Sequence, residues 1–251
     1  MNAAILITAR LKSVRLPRKV LKPLEGKPML HHQVERLRAA KMTDQIILCT
    51  SQEEEDRPLL EAARELGIKS YAGHPDDVLE RLTAAAEEAK VDHIFNCTGD
   101  NVLISPECLD RQLTLLVDKN YDYVYCHQIP IGTFGWALKV EAMRKACEIK
   151  DQTDTEIWGK YFTETGVFNY TQMDIPEEWA WPGLRLTIDT PEDFTVVEQI
   201  YRDLYKPGQL IRLEEIISYC RAHPELLEIN QSTEQRKGLE IRLKNTKVDE
   251  T

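Results

Sequence analysis

The sequence predicts an α/β fold built on a doubly wound, mostly parallel sheet with helices on both faces. Two observations predict it. Short apolar runs alternate with helix-like segments through the first half of the chain, and each run is apolar at successive positions rather than at every second one. Strands of this kind are buried on both faces, which is typical of parallel sheets covered by helices. A length of 251 residues suits one such domain with a substantial core.

The first half of the chain supplies most of the predicted sheet. Ala3–Thr8 is a buried strand, and Met29–Ala40 follows as a helix with Pro28 near its first turn. The next strand and helix pairs cover 45–49 and 57–66, 69–71 and 78–89, and 93–97 and 107–119, with a last strand over 121–125. Gly67 fits the position after the second helix, and Asp76 or Asp77 fits the N-cap of the third.

The second half of the chain is less regular. Between residues 128 and 182 the alternation weakens, leaving a helix over 142–149 and a strand-like run over 167–175. A strand over 184–188 follows, then a helix that Thr190 caps and Pro191 begins, and a further helix over 213–222. We predict one domain over residues 1–230 with an insert at about 128–182, and a polar C-terminal tail over 231–251.

Charge and hydropathy exclude two classes of function. The chain has 32 Lys+Arg against 42 Asp+Glu, a net charge of -10, whereas a protein that coats nucleic acid needs a basic face. A small anionic substrate remains compatible with this charge, since a local basic cluster can lie inside an acidic protein. No apolar run approaches the length of a membrane span, and the N-terminus is a poor signal peptide.

The cysteines predict a cytoplasmic protein. The six Cys residues are scattered, without a CxxC pair or a short framework spacing. We therefore expect reduced thiols. The six His residues form no HxH or HxxxH pair, which disfavours a zinc site.

The loop after the first predicted strand is strongly basic. Five of the ten residues 10–19 are Arg or Lys. In an open parallel sheet, ligands bind at the carboxyl ends of the strands, where this loop begins. The loop has neither Walker spacing nor a GxGxxG motif. Arg can fork onto two phosphate oxygens and Lys supplies a compact charge, so the loop suits a triphosphate, although a solvated surface loop would have the same composition.

Two carboxylates follow other predicted strands. Asp100 comes after Gly99, which lets a ligand approach the backbone, and Asp189 follows the strand over 184–188. Thr190 already caps the next helix and Asp193 favours its first turn, so Asp189 is not needed there. Carboxylates at neighbouring strand ends, facing a basic loop, are typical of an Mg²⁺–triphosphate site.

These motifs resemble one enzyme family. The pattern A-R-x-x-S-x-R-L-P-x-K at residues 9–19, together with G-D at 99–100 and D-T-P-E-D at 189–193, is similar to the cytidylyltransferases that act on 3-deoxy-manno-octulosonate and acylneuraminate. The segments DDVLERL, CTGDNVLISPECLD, LRLTIDTPEDF and HPELLEIN are closer to the spore coat polysaccharide biosynthesis branch, the SpsF-like proteins. The resemblance covers about residues 3–230.

The resemblance implies a Rossmann-like fold of the nucleotide-diphospho-sugar transferase type. It also implies Mg²⁺-dependent transfer of CMP from CTP to a sugar acid or sugar phosphate, with release of pyrophosphate, for surface glycan biosynthesis. Members usually form homodimers. No nucleic acid and no membrane span are expected.

The resemblance also implies the site residues, each from its position in the matching motifs. The catalytic set is Arg10, Lys19, Asp100 and Asp189, of which Asp100 and Asp189 would hold Mg²⁺. The nucleotide would be bound by Ala9, Arg10, Ser13, Arg15, Lys19, Thr50, Ser51, Asp77, Arg81 and Asp100. Candidates on the acceptor side are Gln128, Glu156, Trp158 and Lys160. In the basic loop, Lys12 and Arg18 are expected to face solvent.

Two departures from the SpsF-like pattern fall on the acceptor side. Relatives carry G-D-C-P-L-I-D where this chain has GDNVLIS at 99–105, and R-E-H-V-T-P where it has DTEIWGK at 154–160. Two alternatives therefore stay open. One is a transferase that uses UTP or another nucleotide, and the other is a catalytically silent nucleotide-binding subunit.

The segment 128–182 holds all four tryptophans, at positions 136, 158, 179 and 181. Aromatic residues are enriched in the cores of protein interfaces. We therefore expect this segment to form the homodimer contact, with a lid over the acceptor as the competing interpretation.

Overall fold

A seven-stranded sheet forms the centre of the protein. The structure is a computed structural model that describes residues 1–233 and 240–244. The strands are β1 Ala3–Thr8, β2 Pro23–Leu24, β3 Lys27–Pro28, β4 Ile46–Ser51, β5 Lys69–Gly73, β6 His93–Thr98, β7 Tyr123–Tyr125, β8 Trp136–Lys139 and β9 Tyr170–Gln172. The central sheet has the order β5-β4-β1-β6-β8-β7-β9, while β2 and β3 form a separate antiparallel pair.

The sheet is mostly parallel, as predicted. Strand β1 pairs in parallel with β4 and with β6, and β4 pairs in parallel with β5. Only β8 runs against its neighbours, pairing antiparallel with β6 and β7, while β7 and β9 are parallel. Because β4 and β5 extend the sheet on one side of β1 and β6 extends it on the other, the order of strands reverses between β1 and β6.

Helices cover both faces of this sheet. They are α1 Met29–Leu37, α2 Arg57–Glu65, α3 Val78–Glu88, α4 Pro106–Asp118, α5 Val140–Ile149, α6 Lys160–Thr163, α7 Pro191–Leu204, α8 Leu213–Ala222 and α9 Glu225–Asn230. Successive residues of β1 enter different cores: Ile5 and Ile7 pack with Leu30 of α1, whereas Leu6 packs with Leu82 of α3. This doubly wound arrangement is the one that the unbroken apolar strands predict.

The helix signals are largely confirmed. Asp77 caps α3 through its carboxylate, and Thr190 forms a capping box with Asp193 at the start of α7. Helix α8 has the predicted bounds, whereas α1 ends at Leu37 rather than at Ala40. Nothing in the described residues forms a helix long and apolar enough to cross a membrane.

The prediction of a strand over 184–188 is wrong. These residues make one isolated bridge, between Arg185 and Ile131, and no ladder. Their amides instead bond to two loops: Leu186 donates to the Ile131 carbonyl at 2.7 Å, and Ile188 donates to the Asp100 carbonyl at 3.1 Å. The segment is buried because it packs with α7, and a buried apolar run does not need a sheet neighbour when loops satisfy its backbone.

The segment 128–182 belongs partly to the sheet. It contributes β8 and β9, and β8 lies between β6 and β7 although the sequence analysis assigned it no strand. Its tryptophans are packed within the chain: Trp158 and Trp179 are buried, and the indole of Trp179 donates to Glu214 at 2.8 Å.

Part of the C-terminal tail packs on the domain. The amide of Asp151 donates to the Arg242 carbonyl at 2.9 Å, and the amide of Lys244 donates to the Ile149 carbonyl at 2.9 Å. The hydroxyl of buried Tyr161 also donates to the Arg242 carbonyl, at 3.2 Å. Residues 240–244 therefore fasten the connection between α5 and α6. The other parts of the predicted tail beyond residue 233 lie outside the described residues.

Candidate active site

A large cavity opens beside the point where the strand order reverses. Its volume is about 1040 Å³, and its lining includes Thr8 at the end of β1 and Thr98 at the end of β6. Ligands of open α/β sheets bind in this crevice because the loops there diverge to opposite faces. Both the basic loop, residues 9–19, and the Gly99–Asp100 turn leave the sheet at this place.

Lys19 joins the two predicted carboxylates at one point. Its Nζ lies 2.7 Å from Oδ2 of Asp100 and 2.7 Å from Oδ1 of Asp189. The three side chains are largely buried, with 12–19% of each exposed. Burial of an ammonium group and two carboxylates costs desolvation free energy. Such a cluster therefore points to a function rather than to packing of the core.

Burial and ion pairing act in opposite directions on this cluster. Burial lowers the pKa of Lys19, but the charges and hydrogen bonds of Asp100 and Asp189 outweigh it and leave that pKa raised. Burial likewise raises the pKa of Asp189, whereas Lys19, Arg185 and Arg15 lower it more, so the net shift is downward. Both partners consequently stay charged around neutral pH.

Asp100 is held by the turn that follows β6. The hydroxyl of Thr98 donates to its Oδ1. Gly99 permits this turn, because a Cβ there would lie 2.8 Å from Cγ1 of Val20 and 3.0 Å from Cβ of Ala9. The Gly at this position therefore lets the basic loop pass directly over the strand end.

Asp189 is held by a buried ion pair that the sequence analysis missed. Nη2 of Arg185 donates to Oδ2 of Asp189 at 2.9 Å, and Nε of Arg185 donates to Oδ1 of Asp193 at 2.8 Å. Asp193 also accepts the amides of Asp189 and Thr190, at 2.9 and 3.1 Å. Asp193 thus completes the capping box that Thr190 begins at α7, and it also accepts the amide of Asp189. The available signal was an Arg inside an apolar run, four residues before Asp189.

The basic loop lines the cavity with most of its charges. The lining includes Ala9, Arg10, Ser13, Arg15 and Lys19, which the sequence analysis assigned to the nucleotide site. The guanidinium of Arg15 lies 3.3 Å from Oδ2 of Asp189, and Nη1 of Arg10 donates to the Pro75 carbonyl at 2.6 Å.

The two residues expected to face solvent differ from each other. Arg18 is exposed and does not line the cavity, as predicted. Lys12 is also exposed, as predicted, but unlike Arg18 it contributes to the cavity lining. The amide of Leu16 donates to the hydroxyl of Ser13 at 3.4 Å, which bends the loop between these two residues.

Arg81 is a fully buried guanidinium at the edge of the cavity. Its Nη1 donates to the carbonyls of His74 and Pro75, whereas Nε and Nη2 have no hydrogen-bond partner among the described residues. Burial lowers its pKa. Buried donors without a partner are costly, so their occurrence beside a cavity points to a ligand that accepts from them.

Three residues of the predicted nucleotide site do not line the cavity. Thr50 and Ser51 are buried at the end of β4, and the hydroxyl of Ser51 donates to Asp56. Asp56 in turn accepts the Leu11 amide at 2.6 Å, so Ser51 supports the basic loop from behind. Asp77 caps α3 and forms an ion pair with Lys150.

Three of the four acceptor candidates line the other end of the cavity. They are Glu156, Trp158 and Lys160, from the connection before α6 and its first residue. Lys160 lies 3.6 Å from Glu164. Gln128 is exposed and outside the lining, and its carbonyl accepts the Trp181 amide at 3.0 Å.

Other aromatic residues line the cavity together with Trp158. They are Tyr123, Tyr125, His127, Phe134, Trp136 and Tyr170, of which the sequence analysis named only Trp136. The cavity therefore has a charged end, at the strand termini, and an aromatic end, on β7 and β8.

The chain is similar to known proteins over most of its length. The sequence profile of the cytidylyltransferase family matches residues 4–233. An uncharacterized protein of Methanocaldococcus jannaschii is 33% identical over 94% of this chain and 97% of its own length. The spore coat polysaccharide biosynthesis protein SpsF of Bacillus subtilis is 29% identical over 88% of this chain and 94% of its own.

The fold is similar to that of a solved cytidylyltransferase. A cytidylyltransferase from Leptospira borgpetersenii superposes with a TM-score of 0.83, at 23% identity, and the match covers 94% of this chain and 100% of that one. The family profile spans the basic loop, both carboxylates of the Lys19 cluster and the aromatic end of the cavity. The chain belongs to the cytidylyltransferase family.

Proposed function

We propose that the protein transfers CMP from CTP to a sugar acid or sugar phosphate and releases pyrophosphate. The observation that carries the proposal is the convergence of Asp100 and Asp189 on the Lys19 ammonium, at the floor of a cavity that also receives Arg10 and Arg15. In this reaction a bond forms between the acceptor oxygen and the α-phosphorus, and the bond from that phosphorus to pyrophosphate breaks. Negative charge then gathers on the leaving pyrophosphate.

Positioning and charge neutralisation supply most of the catalysis in such a transfer. Arg10, Arg15 and Lys19 surround the place where the triphosphate fits, so they offset charge on the leaving group. Ala9 offers backbone groups next to the nucleoside, and the unpartnered nitrogens of Arg81 can donate to it. A cavity lined by cations on this side is unsuited to a neutral ligand.

The carboxylates of the cluster fit a magnesium ion. One oxygen of each already lies 2.7 Å from a single cationic atom, Lys19 Nζ, so both oxygens converge on one point. Magnesium in nucleotide enzymes is held by one or two carboxylates together with substrate phosphates. This mode of binding needs only two protein carboxylates. It is therefore compatible with described residues that contain no group of three or more metal-ligating His, Cys, Asp or Glu side chains. When bound there by Asp100 and Asp189, Mg²⁺ would supply charge neutralisation at the α-phosphate.

The acceptor end and the cellular role are part of the same proposal. Glu156, Trp158 and Lys160 line the same cavity as the basic loop, so an acceptor that contacts them would share the cavity with the nucleotide. The similarity to a spore coat polysaccharide biosynthesis protein supports a role in surface glycan synthesis. The six unpaired cysteines support a cytoplasmic location, where CTP is available.

We also propose that the protein is a homodimer whose contact uses the segment 128–182. Ile157, Val167 and Tyr170 of this segment each expose 40% or more of their surface. Within the described residues, strand β9 lies at the edge of the sheet and pairs with one strand, β7. An exposed apolar edge of this kind favours association with a second copy.

A pyrophosphate-release screen tests the proposed function. The full chain is incubated with Mg²⁺, one of CTP, UTP, ATP or GTP, and a panel of sugar acids and sugar phosphates. We expect release with CTP and at least one acceptor, and at least tenfold slower release with the other nucleotides. Release that is fastest with another nucleotide would contradict the base assignment. CTP binding without release across the panel would favour a silent binding subunit.

A further inference from the structure

Residues 74–77, between β5 and α3, contact groups from both ends of the cavity, although none of the four lines it. We call them the bridging segment. At the charged end, the carbonyl of Pro75 accepts Nη1 of Arg10 at 2.6 Å and Nη1 of Arg81 at 3.1 Å. Arg10 also forms an ion pair with Asp76, at 3.1 Å. The bridging segment therefore holds two guanidinium groups that do line the cavity.

The same segment holds the connection before α6 from its other side. The amide of Thr155 donates to the Asp76 carbonyl at 3.2 Å, and the hydroxyl of Thr155 donates to Oδ1 of Asp77 at 2.9 Å. That hydroxyl in turn accepts the Leu79 amide at 2.9 Å. Thr155 is 1% exposed, so these hydrogen bonds form away from water. Its neighbour Glu156 is the first residue of the connection that lines the cavity.

Asp77 uses its carboxylate for more than a helix cap. It caps α3 by accepting the Glu80 amide at 3.1 Å, and it also forms an ion pair with Lys150 at the end of α5. The same Lys150 ammonium donates to the Gln152 carbonyl at 3.1 Å. An N-cap needs one accepting oxygen, so the contacts of Asp77 to Lys150 and Thr155 go beyond capping.

The bridging segment is also braced from within. Nδ1 of His74 accepts the amides of Asp76 and Asp77, at 3.2 and 2.9 Å. The carbonyl of His74 accepts Nη1 of Arg81. Because the backbone of the segment is fixed in this way, a shift of the groups on one side of it is passed to the groups on the other side.

We infer that Asp77 and Thr155 are positioning residues that fix the acceptor side of the cavity relative to Arg10 and Arg81. Neither lines the cavity, so each acts through the groups that it holds. The inference rests on the proposed function for what binds at each end, but the attachment itself depends only on the contacts of the bridging segment. In a transfer between two bound substrates, misplacement of one site relative to the other lowers the rate of the chemical step.

Amide hydrogen exchange of the nucleotide-free full chain tests the attachment. Thr155→Val removes the hydroxyl but keeps the size of the side chain, and we expect exchange across residues 151–159 to become about fivefold faster or more. Arg10→Met acts from the opposite side of the bridging segment and should speed the exchange of the same amides. In the double variant the two effects should not add, because both act through one attachment.

Two further variants serve as controls. Thr155→Ser restores the hydroxyl and should keep the exchange of the wild type. Thr83→Val is the matched control, because Thr83 is a buried threonine on α3 whose hydroxyl donates to the Leu79 carbonyl at 2.7 Å, within the same helix. It should leave the exchange of residues 151–159 unchanged.

Steady-state kinetics separate positioning from stability. With CTP, Mg²⁺ and 3-deoxy-manno-octulosonate, Thr155→Val should lower kcat about tenfold or more, while the KM for CTP stays within about twofold of wild type. Thr155→Ser should recover most of kcat. Asp77→Asn keeps a capping oxygen but loses the charge that pairs with Lys150, so it should lower kcat in the same direction by a smaller factor.

The outcomes distinguish this inference from the proposed function. Exchange across 151–159 that Thr155→Val leaves unchanged, or that Thr83→Val speeds equally, would overturn the inference whatever the activity. Additive effects of Arg10→Met and Thr155→Val, or a KM for CTP that rises as much as kcat falls, would also overturn it. Absence of turnover in the wild type, together with the expected pattern of exchange, would instead reject the reaction with this acceptor and keep the positioning role.

Discussion

Lys19 and Asp189 lie 170 positions apart in the sequence, yet the ammonium nitrogen of one is 2.7 Å from a carboxylate oxygen of the other. The contact joins the first loop of the chain to the turn before α7, and Asp100 completes it from the end of β6. The lysine thereby acts as a counter-ion for two carboxylates that would otherwise repel each other in a buried site. Its charge is available to a triphosphate only when another cation takes over one of the carboxylates.

The carboxylates of the cluster should be indispensable for turnover. Asp100→Asn and Asp189→Asn keep the shape of the side chain but remove the charge that a metal ion requires. We expect each variant to lose about 10²-fold or more in kcat, with an unchanged far-ultraviolet circular dichroism spectrum. Asp174→Asn changes an exposed carboxylate outside the cavity and is the control. Rates within threefold of wild type in both variants would reject the metal assignment.

The basic loop should contain cations that contact the triphosphate and cations that only face solvent. Arg10→Ala and Lys19→Ala remove contacts to the triphosphate, each worth about 1.5–3 kcal/mol, so kcat/KM should fall roughly 10–150-fold. Arg18 has a φ of 54°, so Arg18→Asn suits its left-handed backbone and serves as the solvent-facing control. Its effect should be small and should fade with salt.

Lys12 gives the decisive comparison within that loop. It lines the cavity from an exposed position, so Lys12→Ala should give an intermediate loss that depends on ionic strength. Measurement of kcat/KM at two salt concentrations checks the series. Equal, small, salt-sensitive losses in all four variants would mean that the loop only attracts anions.

Arg81 should affect nucleotide binding more than the chemical step. Arg81→Met removes the two buried donors that have no partner in the described protein, and we expect the KM for CTP to rise about tenfold or more with a smaller change in kcat. Arg81→Lys keeps a charge but not the fork, so it should restore little. Arg64→Met, on the exposed side of α2, is the control, and steady-state kinetics with CTP as the varied substrate give the answer.

Asp193 should make the stability of the protein depend on acid pH. Burial acts to raise its pKa, but hydrogen bonds from Arg185, the Asp189 amide and Asn230 outweigh burial and place that pKa below the ordinary 3.8. A carboxyl group with a lowered folded pKa stabilises the fold above its unfolded value and loses that contribution as the pH falls through the folded value.

Asp193→Asn should therefore cost about 3 kcal/mol of unfolding free energy at pH 7, because it breaks a buried pair. The difference from wild type should be constant down to about pH 5 and should shrink below pH 4. Urea unfolding of the wild type and of Asp193→Asn at a series of pH values measures this difference in unfolding free energy. A difference that stays the same down to pH 2.5 would show that Asp193 contributes packing rather than charge.

The proposed homodimer can be tested by sedimentation. We expect the wild-type chain to sediment as a dimer at micromolar concentration. Val167→Asp, which puts a charge on an exposed apolar position of the segment 128–182, should shift it toward monomer. Val117→Asp, on the exposed face of α4, is the matched control. A wild-type monomer at this concentration would instead favour the lid interpretation.

Local signals predicted much of the fold because the residues that carry them act on their own neighbours. The cap of α3 by Asp77, the start of α7 at Pro191 and the unbroken apolar run of β1 are all determined within a few residues. The prediction of a strand over 184–188 was wrong because a buried segment and a paired strand have the same apolar sequence pattern. Only the hydrogen-bond partners of the backbone distinguish them.

The site shows the same division. Arg10 and Asp100 come shortly after the ends of β1 and β6, and parallel topology brings these strand ends together, so the proximity of their loops could be predicted. The role of Arg185 could not be predicted, because it depends on a buried partner, Asp193, that lies eight residues away across a turn. The aromatic end of the cavity combines residues of β7 and β8 with Trp158, and the antiparallel position of β8 has no signal in the local sequence.

The attachment of residues 240–244 bears on the order in which the site forms during synthesis. Chains emerge from the ribosome with the N-terminal part first, and earlier segments begin to fold before later ones appear. Lys19, Asp100, Asp189 and their supporting partner Asn230 all precede residue 231, so the charged end of the cavity can assemble first. The connection that carries Trp158 and Lys160 is held at Thr155 by Asp77 and Leu79, and it gains a second attachment when Arg242 and Lys244 pair with the backbone at 149–151. A chain truncated after Asn230 would thus keep every charge of the Lys19 cluster but lack this second attachment of the acceptor side.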